Sequence, residues 1–298
     1  MTPRYKTVEE ALKDLFGEGV AAPSRRPVSG GCINNAAVLT LSNGERVFLK
    51  ENSATFSGMF AAEVEGLTAL FDAAKRVDGP AVPRPLAHGG DRNTQFILME
   101  AIEPGRPGPR YAEDFGRAFA RLHLDRIESR FGFFGNNFIG ATPQVNTWSD
   151  DWIFFFGAHR LGYQIETAKK RGILPADLER DIRTLIDRLP DFLPQDVQPS
   201  LLHGDLWSGN AMADKSGNAV IIDPAAYYGH NEADLAMTEL FGRFPSRFYD
   251  AYSEVLPIPR EYRTERRTIY GLYHILNHLN LFGGGYASQA KSMVREVL

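Results

Sequence analysis

Cysteine is almost absent from this chain: Cys32 is the only one among 298 residues, which excludes an intrachain disulfide and a cysteine-built metal site. Long apolar runs are missing as well. Ile153-Phe154-Phe155-Phe156 falls far short of the ~20 residues that a membrane-spanning helix needs and reads as buried helix core. No excess of positive charge is present, since 33 Lys and Arg against 37 Asp and Glu leave a formal charge of −4. Neither nucleic acid nor an anionic membrane is therefore an expected partner. Tandem repeats and low-complexity tracts are also lacking. What remains is 43% hydrophobic content, enough for one large core or two modest ones, with a small molecule as the expected partner. The start, Met1-Thr2-Pro3-Arg4-Tyr5-Lys6, runs into charged, helix-like sequence with no secretory apolar core, so a cytosolic protein is expected.

The chemistry concentrates in Leu201-Leu202-His203-Gly204-Asp205-Leu206-Trp207-Ser208-Gly209-Asn210 and the run Val220-Ile221-Ile222 that ends in Asp223-Pro224-Ala225. In a kinase catalytic loop, an Asp that engages the acceptor hydroxyl stands five residues before a metal-binding Asn, and a second metal-binding Asp follows a short strand. Asp205, Asn210 and Asp223 match that spacing. Phosphoryl transfer rests on positioning and charge neutralisation, so a carboxylate orients the acceptor while hard oxygen donors hold Mg²⁺ on the phosphates. Each residue taken alone has a plainer reading: Asp205 as a helix cap, Asn210 as a turn residue, Asp223 as a strand end. Their joint spacing favours chemistry.

Upstream, Val8 to Phe16 has helical spacing. The segment Ser29-Gly30-Gly31-Cys32 precedes two strand-like runs, Ala36 to Leu41 and Val47 to Lys50, around an Asn43-Gly44 turn. Gly30 and Gly31 can bring backbone N–H groups close to phosphates, although glycine pairs also mark ordinary turns. Cys32 is open to two readings, a redox-sensitive thiol beside bound phosphate or a small packing residue. Lys50 ends the second strand, and a helix from about Met59 to Phe71 carries Glu63 near its start. Lys50 and Glu63 fit the lysine that contacts the α- and β-phosphates and the glutamate that orients it. Glu65 is the alternative partner, turned well away from Glu63 by its two-residue offset.

A further strand, Gln95 to Met99, leads through Glu100-Ala101-Ile102 to Pro104-Gly105-Arg106-Pro107-Gly108-Pro109, the best domain boundary. Residues 1–102 are expected to form an ATP-binding lobe and residues 103–298 a larger, mostly helical catalytic lobe, an α+β architecture. The segment Met99, Glu100, Ala101 and Ile102 lies where an adenine ring between lobes meets backbone groups.

With these residues in hand, the chain resembles the fructosamine and ketosamine kinase family, within the protein-kinase-like group that includes aminoglycoside and choline kinases. Gly30-Gly31-Cys32-Ile33, Pro143-Gln144-Val145-Asn146, Ala158-His159-Arg160-Leu161, His203 to Asn210, Asp223-Pro224-Ala225 and Leu276-Asn277-His278 carry the likeness. It implies a bilobal fold, ATP and Mg²⁺ as cofactors, and transfer to the 3-hydroxyl of a free or protein-attached ketosamine, leading to deglycation. A monomer and a homodimer both stay open. Ribulosamine, erythrulosamine and fructosamine stay open as acceptors. An aminoglycoside, a choline-like amine or another alcohol remains an alternative, as does a non-catalytic nucleotide sensor. Pro224-Ala225 after Asp223 and the lack of a peptide-docking segment argue against a protein kinase. Trp207 is a candidate sugar platform or a packing residue, and Glu232 or Asp234 a candidate acceptor for the amine.

Overall fold

The computed structural model describes residues 2–28, 35–56 and 58–298. Gly30, Gly31 and Cys32 lie outside the described residues. The first half builds a sheet. Among the described residues its six strands run in the order β1-β5-β6-β4-β3-β2: β1 (Arg4–Tyr5), β2 (Ser24–Val28), β3 (Asn35–Thr40), β4 (Arg46–Ser53), β5 (Pro85–Gly90) and β6 (Thr94–Glu100). Neighbours are antiparallel except for the β1–β5 pair. The Asn43-Gly44 turn closes β3 onto β4, with Gly44 at a φ of 87° that its missing Cβ permits.

Helix α1 (Val8–Phe16) starts where Thr7 accepts a hydrogen bond from the Glu10 N–H, a side-chain cap for an otherwise orphaned donor. Its Ala11 and Leu12 cover one sheet face with Leu39, Leu41, Val47 and Leu49. Helix α2 (Met59–Val77) covers the other. The apolar repeat Phe60, Val64, Leu67 and Leu70 at helical spacing buries a continuous stripe. That stripe joins Ile97 and Met99 of the sheet to Phe115, Phe119 and Leu122 of the second half in a single core.

The second half is mostly helical, as expected. Helix α3 (Tyr111–His123) is followed by a small hairpin of β7 (Asn137–Ile139) and β8 (Thr142–Gln144), and by α4 (Trp152–Phe155), which runs through a π-helical turn, Phe156–Gly162, into α5 (Tyr163–Lys170). Next come α6 (Ala176–Asp187), α7 (Leu189–Phe192), β9 (Ser200–Leu202), β10 (Ala211–Ala213), β11 (Ala219–Ile221) and β12 (Tyr227–Gly229). Helices α8 (Asn231–Leu240), α9 (Ser246–Val255), α10 (Glu265–Phe282) and α11 (Tyr286–Val297) complete the chain. Helix α10 is buried on nearly all sides from Thr268 to Asn277, which explains its weak amphipathic pattern.

Ile153-Phe154-Phe155-Phe156 is only partly the buried core expected. Phe155 and Phe156 are buried while Phe154 points outward, because a helix turns successive residues about 100° apart. No helix among the described residues is long and apolar enough to cross a membrane.

Candidate active site

Lys50 sits on β4, where pairing with Ala36 of β3 and Ile97 of β6 fixes its backbone. Its ammonium donates to Glu63 Oε1 at 2.5 Å and to Asp223 Oδ1 at 2.5 Å, with the lysine side chain only 8% exposed. Burial by itself disfavours the cation, and the two carboxylates more than offset this, holding Lys50 above the usual lysine range. Glu63 is the partner that meets it. Glu65, two positions on, is exposed on the outer side of α2, as the helical turn between them requires.

The loop after β9 is held from below. His203, fully buried, engages the Ile222 carbonyl through Nε2 at 2.9 Å, and the Asp205 N–H points to His203 Nδ1 at 3.3 Å. With Nε2 donating and Nδ1 accepting, the imidazole is neutral, and burial lowers its pKa. Gly204 has a φ of 80°, and a Cβ there would fall 2.1 Å from the Ala225 carbonyl oxygen. Only glycine lets the loop pass so close to the segment after Asp223.

Asn210 donates from Nδ2 to the Asp205 carbonyl at 2.8 Å and lies 3.4 Å from Asp205 Oδ2. The Ile222 N–H donates to the Asn210 carbonyl at 3.0 Å, so the hairpin of β10 and β11 ties the two ends of the loop together. Asp223 follows with a φ of 56°, a left-handed conformation uncommon for a residue with a side chain. Loss of hydration in the cleft, with the nearby charges of Asp223 and Asp234, raises Asp205 well above the usual carboxylate range, while its contact with Asn210 acts the other way.

These groups share one cleft of about 770 Å³ between the sheet and the helical half. Lys50, Glu63, Asp205, Asn210 and Asp223 all face it. Met99, Glu100 and Ile102 form part of its wall, whereas Ala101 does not line it. Glu100 turns its side chain to Arg84, and its N–H is committed to the Arg84 carbonyl at 2.9 Å. Trp207, 39% exposed, borders the cleft and folds its ring over Gly209, where a Cβ would come within 2.4 Å of the indole.

Glu232 and Asp234 are not in the cleft, which corrects their expected role as acceptors for an amine. Both lie on the buried first turn of α8. The Asp234 carboxylate accepts from the N–H groups of His203 at 2.6 Å and Gly204 at 2.8 Å and contacts His123 Nε2 at 3.2 Å. Burial opposes its charge, yet these partners prevail and keep its pKa low. Glu232 faces Arg266 at 3.4 Å and is not among the residues that line the cleft.

Several cleft residues escaped sequence reasoning. Arg26 and Val28 of β2 and Asn137 and Phe138 of β7 line it. The three-residue β7 is too short for an alternating pattern to register, and β2 carries charge and proline where a strand signal would be apolar.

The donor set suits a divalent cation. Because the Asn210 amide nitrogen is committed to Asp205, its Oδ1 is left for a metal, and Asp223 Oδ2 remains beside the Oδ1 that Lys50 holds. Among the described residues no three His, Cys, Asp or Glu side chains form a self-sufficient cage.

The family profile for fructosamine kinases matches residues 4–298. A "Probable ketoamine kinase" of Synechocystis sp. is 42% identical over 99% of this chain and 97% of its own. A chloroplastic protein-ribulosamine 3-kinase of Arabidopsis thaliana is 42% identical over 100% and 92%. Among solved structures, a Haemophilus somnus protein assigned as a fructosamine-3-kinase superposes with a TM-score of 0.86 at 27% identity, covering 98% of this chain and 97% of that one. An aminoglycoside phosphotransferase complexed with AMP-PNP and hygromycin B shares the fold at a TM-score of 0.65 and 15% identity, covering 97% and 98%. With the convergence of Lys50, Glu63, Asp205, Asn210 and Asp223 on one cleft, these likenesses lead to one conclusion: the chain belongs to the fructosamine kinase family and is an ATP-dependent kinase of bilobal, protein-kinase-like fold.

Proposed function

We propose that this kinase transfers the γ-phosphoryl group of ATP to the 3-hydroxyl of a ketosamine, a sugar-derived ketone carried on an amine. The phosphorylated adduct is then destabilised and releases the amine, the result being deglycation. Residues 1–102 bind the nucleotide in this reading, and residues 103–298 supply the acceptor side. The observation that carries it is the arrangement of Lys50, Glu63, Asp205, Asn210 and Asp223 around a single cleft, joined to family-wide likeness along the whole chain.

Lys50, oriented by Glu63, holds the α- and β-phosphates, and the wall formed by Met99, Glu100 and Ile102 holds the adenine. Gly30 and Gly31 are assigned to the phosphates by sequence alone. Asn210 and Asp223 would hold Mg²⁺, whose charge would offset that developing on the phosphates. Asp205 orients the acceptor hydroxyl and takes its proton late in transfer. Trp207 offers an exposed apolar face to the sugar ring. A cytosolic setting completes the proposal.

The test is a screen of phosphate transfer from ATP with Mg²⁺ to ribulosyl-lysine, erythrulosyl-lysine, fructosyl-lysine, an aminoglycoside and simple amino alcohols. Transfer to at least one ketosamine, with phosphate at the third carbon by NMR, is expected. Transfer confined to the aminoglycoside or amino alcohols would replace the acceptor assignment, and nucleotide binding without any transfer would point to a sensor.

A further inference from the structure

The motif residues Gln144, Asn146 and Arg160 are remote in sequence from the phosphotransfer residues, yet they meet in one buried network. Arg160 stands on the π-helical turn, a feature that often marks functional sites. Its side chain is fully buried, with the guanidinium 3.9 Å from the Tyr227 ring centroid and 4.6 Å from that of Phe155. It donates to the Val145 carbonyl at 2.7 Å and to Asn146 Oδ1 at 2.8 Å.

Arginine has donors only, so it dictates the sense of every amide beyond it. Asn146 turns its Oδ1 to Arg160 and therefore gives its Nδ2 to Asn137 Oδ1 at 2.8 Å. Asn137 then gives its own Nδ2 to the Ala226 carbonyl at 2.8 Å. A second branch has the same logic. The Tyr273 hydroxyl donates to Gln144 Oε1 at 2.7 Å, which leaves Gln144 Nε2 to donate to the Ala225 carbonyl at 3.0 Å and to Asn137 Oδ1 at 2.8 Å. From its other side, the Ala225 N–H donates to the His203 carbonyl at 2.9 Å. The segment just after Asp223 is thus gripped on both faces, and Asp223 has a left-handed backbone that persists only where its surroundings hold it.

We infer that Arg160 is a positioning residue for phosphoryl transfer, aiming the Asp223 carboxylate through an amide relay that ends on the Ala225 and Ala226 carbonyls. This rests on the assignment of Asp223 as a metal ligand.

The experiment compares Arg160→Met, Arg160→Lys and Gln144→Glu with the parent and with Asp223→Asn. Three quantities are read: kcat as a function of Mg²⁺, binding of Mg²⁺-AMP-PNP by calorimetry, and hydrogen exchange of the 223–229 segment without ligand. Arg160→Met should lower kcat by roughly 10- to 100-fold, the cost of a misplaced group. It should also raise the Mg²⁺ needed for half-maximal rate and speed exchange at 223–229 while distant helices stay protected. Arg160→Lys, which keeps a donor, should recover part of the rate. Gln144→Glu, which sets an acceptor against the Ala225 carbonyl, should repeat the Mg²⁺ shift and decides the matter if Arg160→Met does not fold. Unchanged Mg²⁺ dependence and exchange in folded relay variants, with Asp223→Asn impaired in metal-nucleotide binding, would overturn the inference alone. Unimpaired binding by Asp223→Asn would overturn the metal assignment beneath it.

Discussion

Asp205 is the residue on which the proposed chemistry turns. Its carboxylate is desolvated, faces the cleft, and has Asn210 at its side. Asp205→Asn preserves the shape and removes the base, so turnover should fall by roughly 10²- to 10⁴-fold with ATP affinity retained. Parallel titrations of nucleotide binding and rate check this, and parental turnover in the variant would remove Asp205 from the mechanism. Glu232 offers a prediction of another kind. Burial pushes its carboxyl up to about 7, with Arg266 offsetting part of the effect. A group whose folded pKa lies above its unfolded value contributes stability that is complete below the unfolded value, near 4.3, and is lost as pH rises through about 7. Glu232→Gln should therefore lose less stability than the parent between pH 5 and 8, the difference being at most about 3 kcal/mol. Urea unfolding at the two pH values reads it directly, and parallel pH slopes in parent and variant would contradict it. The error over Glu232 and Asp234 is instructive at this scale. Two acids soon after a catalytic motif look available in the sequence, but which face of α8 they occupy depends on its packing.

At the scale of elements, the loop after β9 and the segment after β11 are interlocked through His203, Gly204, Ala225 and Asp234. Gly204 is the tightest point. Gly204→Ala would combine a left-handed strain of about 1–3 kcal/mol with a Cβ 2.1 Å from the Ala225 oxygen. The expected result is a lower unfolding midpoint together with a loss of rate larger than the change in folded fraction explains; a stable, fully active variant would show that the loop tolerates rearrangement. The helix Val8–Phe16 and the hairpin around Asn43-Gly44 were legible in advance because apolar spacing and turn chemistry act locally. The hairpin of β7 and β8, the π-helical turn and the direction of each amide in the Arg160 relay were not. Short strands carry too little periodicity, and a hydrogen bond's direction depends on which distant partner offers a donor.

Across the whole molecule, α2 unites the sheet with the helical half. Phe60, Val64 and Leu67 share one core with Phe115, Phe119 and Leu122, so the proposed boundary after residue 102 divides roles more than it divides the core. Residues 1–102 alone should consequently remain unfolded, since the α2 stripe would lose its cover. Circular dichroism and amide dispersion in NMR spectra test this, and a cooperatively folding fragment would refute it. The sequence by itself determined the kinase-like spacing of Asp205, Asn210 and Asp223, the strand lysine with two candidate helix glutamates, and the sheet-then-helix order, because each is written in residue type and local interval. Only the tertiary structure decided that Glu63 and not Glu65 meets Lys50, that Asp234 anchors the loop from beneath, and that Arg160 reaches Ala225 and Ala226 through three amides. Those outcomes depend on burial and hydrogen-bond direction among segments far apart in the chain, which exist only once it has packed.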